Sequence, residues 1–256
     1  MAKQSFLISA EEQNSSSTTK TLIERAYTQL RNDIVDGRLL PGEKLRVEHL
    51  KESYGVGAGT LREAITRLVS DALIEAEGQR GFKVAGVSLA DLEDLTRLRL
   101  HIEIEALRQS IRKADDVWRQ NLQKSFEEMS AFEQPIQTDK IHLWESLNTQ
   151  FHHALIAAGA SPWTLRFLSI LARHGERYRR YAIGLPNSQR DVHAEHLEIF
   201  EYAMSGNEAR AALALESHIT TTPEVIKAAI KNGADVFNTG QINPVLVHPS
   251  TEKVNN

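Results

Sequence analysis

Between residues 45 and 85 the sequence carries a pattern that few folds can accommodate. A helix with one buried face is predicted by apolar side chains at the spacing i, i+3, i+4, i+7, here Leu61, Ala64, Ile65 and Leu68. Residues 47–54 form a shorter predicted helix. Gly55, Val56 and Gly57 join the two as a tight turn, with a glycine where φ is positive and Val56 against the core. Two short helices joined in this way make a helix-turn-helix.

A small β hairpin is predicted directly after the second helix. Its strands are residues 73–76 and 82–85, and its tip, residues 77–81, carries the basic side chain Arg80. Residues 44–46 are predicted to add a third short strand. A lone helix-turn-helix pattern is a weak signal, but the added wing favours a winged helix-turn-helix, whose second helix enters the major groove of DNA.

Composition narrows the class of protein further. The chain has 256 residues, of which 41% are hydrophobic and 25% charged, so two globular domains of modest size are expected. It has no cysteine, which excludes disulfides and thiolate sites. The sequence has no run of 18 or more apolar residues, so no membrane-spanning helix is predicted. The N-terminus is polar and does not resemble a signal peptide. These features predict a cytoplasmic protein without membrane contact.

The net charge of −4 is unevenly spread. Residues 20–88 hold 11 Lys and Arg against 10 Asp and Glu, a net charge of +1, and the acidic excess lies elsewhere. A near-neutral DNA-binding domain must gather its cations on one face, because attraction to phosphates supplies most of the affinity. The candidate cations are Arg31, Arg38, Lys44, Arg46, Arg62, Arg80 and Lys83.

The residues before the turn extend the pattern. A helix that ends near Gly37 is followed by the turn Leu40-Pro41-Gly42 and by Leu45. With these residues the sequence resembles the GntR family of bacterial transcription regulators. The resemblance runs without a gap from Tyr27 to Val84 and rests on Tyr27, Leu30, Ile34, Gly37, Leu40, Pro41, Gly42, Leu45, Leu50, Tyr54, Gly55, Val56, Leu61, Arg62, Glu63, Ala64, Leu68, Leu73, Gly81, Phe82 and Val84.

The resemblance implies operator binding through the second helix and the wing. The predicted DNA-contacting residues are Arg46, Thr60, Arg62, Thr66, Gln79, Arg80 and Lys83. Glu48 and Ala58 stand where FadR-type members of the family often have arginines that touch DNA. The operator sequence of those members therefore cannot be transferred to this chain.

The second half of the chain is predicted to be an all-α bundle, so the fold class is mainly α. Ser88 is placed to cap its first helix, and Pro223 is expected to bend or split its last helix. Further helices are predicted over residues 115–132, 139–158, 162–183, 189–204 and 207–231. The predicted boundaries are a disordered tail over 1–18, the winged domain over 19–87, the helical domain over 88–232 and a flexible tail over 233–256.

Three histidines and an asparagine form a possible metal site. Asn148 and His152 lie one helical turn apart, and His196 and His218 fall on two later helices that an antiparallel arrangement brings level. Three imidazoles with oxygen donors suit Zn, Ni or a similar divalent ion. From spacing alone, however, scattered histidines on helices are more often surface or core residues than ligands.

A second resemblance favours the metal. Arg99 and Glu103, the run from Asn148 through His152 to Leu155, Glu195-His196, and His218 together resemble the FCD domain of FadR-type regulators. That resemblance implies a divalent metal held by three histidines and an aspartate below an effector cavity. Asn148 stands where the aspartate is usual, so one formal negative charge is missing.

The resemblance also implies a small-molecule effector, expected to be an organic acid that coordinates the metal. Arg99 is a candidate carboxylate clamp, with a salt bridge to Glu103 as the structural alternative. Arg177 and Tyr181, spaced i and i+4, are predicted to line the cavity. A narrower likeness to the carbon-starvation-induced regulator group, seen in residues 60–82 and 190–201, implies a C5 dicarboxylate or a related compound.

The sequence thus predicts a homodimeric, metabolite-responsive regulator of a pseudo-palindromic operator, more often a repressor than an activator in this family. Two alternatives stay open. The three histidines could serve a metal-dependent helical hydrolase or oxygenase, although no acid is placed as a general base. The helical domain could also hold no metal.

Overall fold

The computed structural model describes residues 10–185 and 190–237, which fall into two compact units divided between Gly86 and Val87. The first unit is a winged helix-turn-helix. Its helices are α1 (Ala10–Val35), α2 (Val47–Tyr54) and α3 (Ala58–Ser70). Its antiparallel sheet has the order β1–β3–β2, from β1 (Lys44–Leu45), β2 (Ile74–Ala76) and β3 (Phe82–Val84). Leu45 pairs with Phe82, and Ile74 pairs with Val84.

The helix-turn-helix forms because its apolar stripe is buried as the spacing predicts. The four side chains of that stripe, Leu61, Ala64, Ile65 and Leu68, are each 0% exposed and pack against Leu30 and Ile34 of α1. Gly55 ends α2 with a φ of 61°, a left-handed conformation that glycine adopts without steric cost. Val56 packs against the same core. The predicted turn is confirmed in both respects.

Polar contacts also fix α3 against α1. Arg67 forms ion pairs with Glu24 of α1 at 3.2 Å and with Glu63 of its own helix at 3.1 Å. At the end of α3, the Tyr27 hydroxyl donates a hydrogen bond of 2.5 Å to the Asp71 carboxylate. The C-terminal half of α3 is therefore held by side chains as well as by its buried stripe.

The second unit is all helical. Its helices are α4 (Leu89–Arg112), α5 (Asp116–Ser130), α6 (Ile141–Ile156), α7 (Pro162–Ile183), α8 (Val192–Met204) and α9 (Glu208–Lys231). The Ser88 side chain caps α4 by accepting from the Asp91 backbone N–H at 3.0 Å, as predicted. A 3₁₀ turn, Thr138–Lys140, precedes α6, which begins two residues later than predicted. α8 begins at Val192 rather than at Gln189, which lies outside the described residues.

The structure bears on two helix predictions. α1 begins at Ala10, inside the segment over residues 1–18 that was predicted as a disordered tail; residues 1–9 lie outside the described residues. α9 is one helix through Pro223, so of the two predicted outcomes, a bend or a split, the split does not occur. Pro223 and Ile226 are buried there, and this packing offsets the backbone hydrogen bond that proline removes.

The predicted flexible tail begins too early. Val236 is 6% exposed, and the Phe237 ring meets Tyr181 edge to face with centroids 5.4 Å apart. The two apolar side chains cover an aromatic cluster of α7, which explains why the chain packs beyond the end of α9. Residues 238–256 lie outside the described part of the chain.

One glycine lets the helices that bear the candidate site approach each other closely. A Cβ added at Gly159, just after α6, would lie 2.3 Å from the Ala106 carbonyl oxygen of α4. The Gly159 N–H instead donates to the Ser110 hydroxyl at 2.7 Å. α6 is thereby held against α4. None of the described helices combines the length and the hydropathy that a bilayer span requires.

Candidate functional site

The three predicted histidines meet inside the helical unit. His152 projects from α6, His196 from α8 and His218 from α9. One nitrogen from each ring lies within 4.8 Å of the other two, and the ring centroids are 4.5 to 5.5 Å apart. His196 is 0% exposed and His218 is 7% exposed, so the cluster is shielded from bulk water.

Hydrogen bonds orient two of the rings. The Nδ1 of His196 lies 2.7 Å from Glu133 Oε1, and the Nδ1 of His218 lies 2.7 Å from Glu195 Oε2. A carboxylate can only accept, so each Nδ1 carries the proton and each Nε2 keeps a lone pair. Metal-binding histidines are commonly oriented by such an outer carboxylate.

Three buried polar atoms of these residues have no hydrogen-bond partner among the described residues. They are Asn148 Oδ1, His152 Nδ1 and His196 Nε2. Leaving a buried polar atom unpaired costs about 1–3 kcal/mol, and three together need a physical reason. All three can donate a lone pair to a cation, so the residues present fit a divalent metal ion.

The protonation states favour the same use. Burial, followed by the charge that a neighbouring imidazole would carry, lowers the pKa of His152 and of His218 well below its ordinary value. Both rings therefore stay neutral at neutral pH, and the neutral imidazole is the form that binds metals. Burial alone would raise the pKa of Glu133, but hydrogen bonds from His196, Trp144 and His193 outweigh it and lower that pKa.

A cavity of about 160 Å³ opens beside the cluster. Its polar lining consists of Asn148, Arg179, Arg190, His196 and His218, and its apolar lining of Ile136, Trp144, Ala182, Ile183, Val192 and Val225. A smaller cavity, of about 30 Å³, lies on the Arg99 side and shares Asn148 and Arg179 with the first. The arrangement can hold a small polar molecule against the histidines.

Of the three predicted effector residues, Arg99 is the one that lines a cavity. Arg99 donates to both oxygens of Glu103, at 2.6 and 3.3 Å, so the salt-bridge alternative is what forms. Arg177 is buried and Tyr181 packs against Phe237, and neither lines the two cavities. Arg179 faces the cavity instead, since residues two apart on a helix point about 200° apart.

Two cavity arginines were missed by sequence reasoning. Arg179 donates through Nε and Nη2 to Glu145, with a shortest distance of 2.6 Å. Arg190 donates to Glu195 at 2.6 Å and to Thr222 at 2.9 Å. Placing Arg179 required knowing which face of α7 is inward, whereas Arg190 precedes α8 and follows no helical period.

The predicted DNA-contacting residues lie on the helix-turn-helix and on the wing of the first unit. Arg62 and Thr66 are exposed on α3, Thr60 is half-buried in its first turn, and Arg46 is exposed at the N-cap of α2. The Thr66 hydroxyl donates to the Arg62 carbonyl at 2.8 Å, which occupies its proton. Arg62 and Arg46 form no ion pair with any described side chain.

Of the two predicted DNA-contacting cations of the wing, one is ion-paired with described side chains and the other is not. Arg80 is exposed at the tip, where it forms no ion pair with a described side chain. Lys83, by contrast, pairs with Glu75 at 3.0 Å and Glu77 at 3.4 Å across the hairpin, so its charge is already balanced. Gln79 belongs to the same tip, but its side chain lies outside the described part of the chain. Arg38 is likewise paired, with Asp33 and Asp36.

Comparison with known proteins agrees with this architecture. Residues 22–84 match the family described as "Bacterial regulatory proteins, gntR family", and residues 94–221 match the FCD domain. The chain is 41% identical over 211 residues to the uncharacterized HTH-type transcriptional regulator BphR of Paraburkholderia xenovorans, covering 81% of this chain and 86% of BphR. It is 28% identical to the HTH-type transcriptional repressor GlaR of Escherichia coli, covering 80% of this chain and 95% of GlaR.

The fold has solved counterparts as well. The structure of E. coli McbR/YncC superposes with a TM-score of 0.64 over 83% of this chain and 99% of that one, at 19% sequence identity. The matched families and the named relatives are transcription regulators, which removes the enzyme alternative. The chain therefore belongs to the GntR family of bacterial regulatory proteins, as a DNA-binding transcription regulator whose second domain is an FCD domain.

Proposed function

We propose that the protein is a metabolite-responsive repressor whose helical domain binds a divalent metal and a small organic acid. The observation that carries the proposal is the convergence of three imidazoles beside a cavity that Asn148 and arginines also line, with unpartnered polar atoms on Asn148, His152 and His196. His152, His196 and His218 would hold the ion with Asn148 as an oxygen donor. A bound ion supplies a Lewis-acidic position for a carboxylate.

The residues of the chain also favour an anionic effector. Arg179 uses Nε and Nη2 on Glu145, which leaves its Nη1 without a hydrogen-bond partner among the described residues. A guanidinium is well matched to a carboxylate. The cavity has a volume of about 160 Å³, so we expect the effector to be a small acid. Arg99 and Arg190, already engaged with Glu103 and Glu195, shape the walls.

For the DNA-binding domain, residues 19–87, we propose contacts by two groups of residues. Arg62, Thr60 and Thr66 of α3 read the major groove, with Arg46 on the adjacent phosphates. Arg80 and Gln79 place the wing against the minor groove. A homodimer, joined through the helical domain over residues 88–232, would bind two half-sites one helical turn apart or a multiple of that. Repression is favoured because the relative GlaR is named a repressor.

The test of the proposed function is a titration of DNA flanking the protein's own gene. Operator affinity is measured with zinc or nickel, with and without small mono- and dicarboxylic acids, and again after chelation. We expect one acid to change the affinity by about tenfold or more, a usual size for allosteric coupling, and only when metal is present. A metal-free protein whose operator binding ignores every acid would contradict the proposal.

The wing offers a sharper prediction. Arg80→Ala should lower the slope of log affinity against log salt by about one for each wing, because an unpaired cation on a phosphate releases a counterion. Lys83→Ala should change the slope less, since Glu75 and Glu77 already neutralise that ammonium. The Arg80 loss should be larger on A·T-rich flanks, where a narrow minor groove attracts arginine. Equal slopes for both variants would refute this assignment.

A further inference from the structure

Two histidines of the cluster are backed by a glutamate on the side of the ring away from Nε2. The Nδ1 of His196 lies 2.7 Å from Glu133, in the connection between α5 and α6, and the Nδ1 of His218 lies 2.7 Å from Glu195 of α8. The Nδ1 of His152 has no hydrogen-bond partner among the described residues, and the nearest carboxylate, that of Glu103 in α4, is 3.9 Å away. Three carboxylates therefore surround the cluster, and two of them orient an imidazole.

The charges of two of these glutamates are balanced by arginines. Arg99 pairs with Glu103 at 2.6 Å, and Arg190 pairs with Glu195 at 2.6 Å. Glu133 contacts no arginine or lysine within residues 10–185 and 190–237. Its three donors are the Nε1 of Trp144 at 3.1 Å, the Nδ1 of His193 at 3.2 Å and the Nδ1 of His196 at 2.7 Å.

The lack of an arginine or lysine partner among the described residues is important for Glu133 because its carboxylate is buried. The Glu133 side chain is 0% exposed, and a buried carboxylate is tolerated only where hydrogen bonds and a nearby positive charge compensate for the lost hydration. Hydrogen bonds are present, but a fixed positive charge is not. The unpartnered Nε2 of His196, on the far side of the same ring, is where a cation would sit.

We propose that Glu133 is the positioning and charge-balancing residue of the metal centre, acting through His196. It fixes the proton on Nδ1, so that Nε2 faces the metal, and it places behind the ring the negative charge that Asn148 does not provide. The inference rests on the proposed metal site and identifies what replaces the missing ligand charge. Glu133 differs in this respect from Glu103 and Glu195, whose charges are balanced by ion pairs with Arg99 and Arg190.

The first test compares two isosteric variants of the full-length protein. Zinc affinity is measured by competition with a chromophoric chelator, and the melting temperature of each metal-free variant is recorded beside it. Glu133→Gln keeps the size of the side chain and loses its charge. We expect zinc affinity to fall by about 10- to 100-fold, the usual effect of removing an outer-shell partner. Glu103→Gln, the matched buried control, should lose less.

The second test moves the charge instead of removing it. Adding Asn148→Asp to Glu133→Gln should restore zinc affinity to the wild-type level or above, because a carboxylate then binds the metal directly. A double variant as weak as Glu133→Gln overturns the charge-balancing role. Equal losses in Glu103→Gln and Glu133→Gln overturn the distinction between the two glutamates.

A third measurement needs no variant and so does not depend on whether one folds. Two-bond ¹H–¹⁵N correlations of the wild-type imidazoles should show His196 protonated on Nδ1 and not on Nε2, with and without zinc. The opposite tautomer would overturn the positioning role. Wild-type protein that binds no metal would remove the proposed function and this inference together, whereas metal-binding protein with an unaffected Glu133→Gln variant would remove the inference alone.

Discussion

Replacing His196 with alanine should abolish the stabilisation of the protein by metal. Wild-type protein in zinc or nickel at about 100 times its Kd should gain about 2.7 kcal/mol, which raises Tm by roughly 5–10 °C in a domain of about 150 residues. His196 is fully buried and contributes one of the unpartnered ligand atoms. The variant should melt at the same temperature with metal and with chelator, and it should lose its response to the effector.

The matched control for this prediction is His101→Ala. His101 is exposed on α4, outside the metal cluster, and should keep the full metal-dependent shift. Thermal unfolding with and without metal, together with elemental analysis, measures both variants, and operator binding without effector should survive in each. A His196→Ala variant that retains stoichiometric metal would show that the imidazoles are only core residues.

Replacing Arg62 with alanine should remove specific operator binding and leave the fold intact. Arg62 is exposed on α3 and forms no ion pair with a described side chain, so its guanidinium is available to the major groove. A bidentate contact to guanine contributes about 1–3 kcal/mol, and a dimer would lose it in each half-site. Gel-shift or fluorescence titration at fixed salt measures the change.

Arg67→Ala is the matched control on the same helix. Arg67 is engaged with Glu24 and Glu63, and exposed ion pairs of this kind contribute about 0–1 kcal/mol to stability. Its loss should leave operator affinity nearly unchanged, apart from a small effect on the melting temperature. If Arg67→Ala weakens the operator complex as much as Arg62→Ala, general charge rather than base readout accounts for both.

The first unit could be predicted from the sequence because its signals are local. The spacing of Leu61, Ala64, Ile65 and Leu68 determines which face of α3 is buried, and Gly55 marks the end of α2. The sequence was less informative where packing between distant residues decides the structure. Proline disfavours a helix interior, yet α9 continues through Pro223 because its neighbours are buried. Val236 and Phe237 were predicted to belong to a tail, because no local pattern indicates the aromatic cluster of α7 that they cover.

The candidate site could be predicted only in part for the same reason. His152, His196 and His218 were found because the resemblance to FCD domains singled them out, while spacing alone favoured the opposite interpretation. The glutamates behind them gave no such signal. Glu133 lies in a connection without periodicity, and it meets His196 across 63 residues of sequence. The cavity-lining residues of α7 were likewise predicted to be Arg177 and Tyr181 from their i and i+4 spacing, whereas Arg179 lines the cavity.

The bracing of α3 by Arg67 and Tyr27 has a consequence for how its backbone meets solvent. We expect amides in the middle of α3, where one face is buried and the helix is tied to α1, to be among the slowest of this unit to exchange with deuterium, because local opening there must break packed contacts. The slowest of these exchange rates would then report the global stability of the DNA-binding unit. Exchange rates in α3 that are the same with and without effector would show that the effector does not act by reshaping the recognition helix.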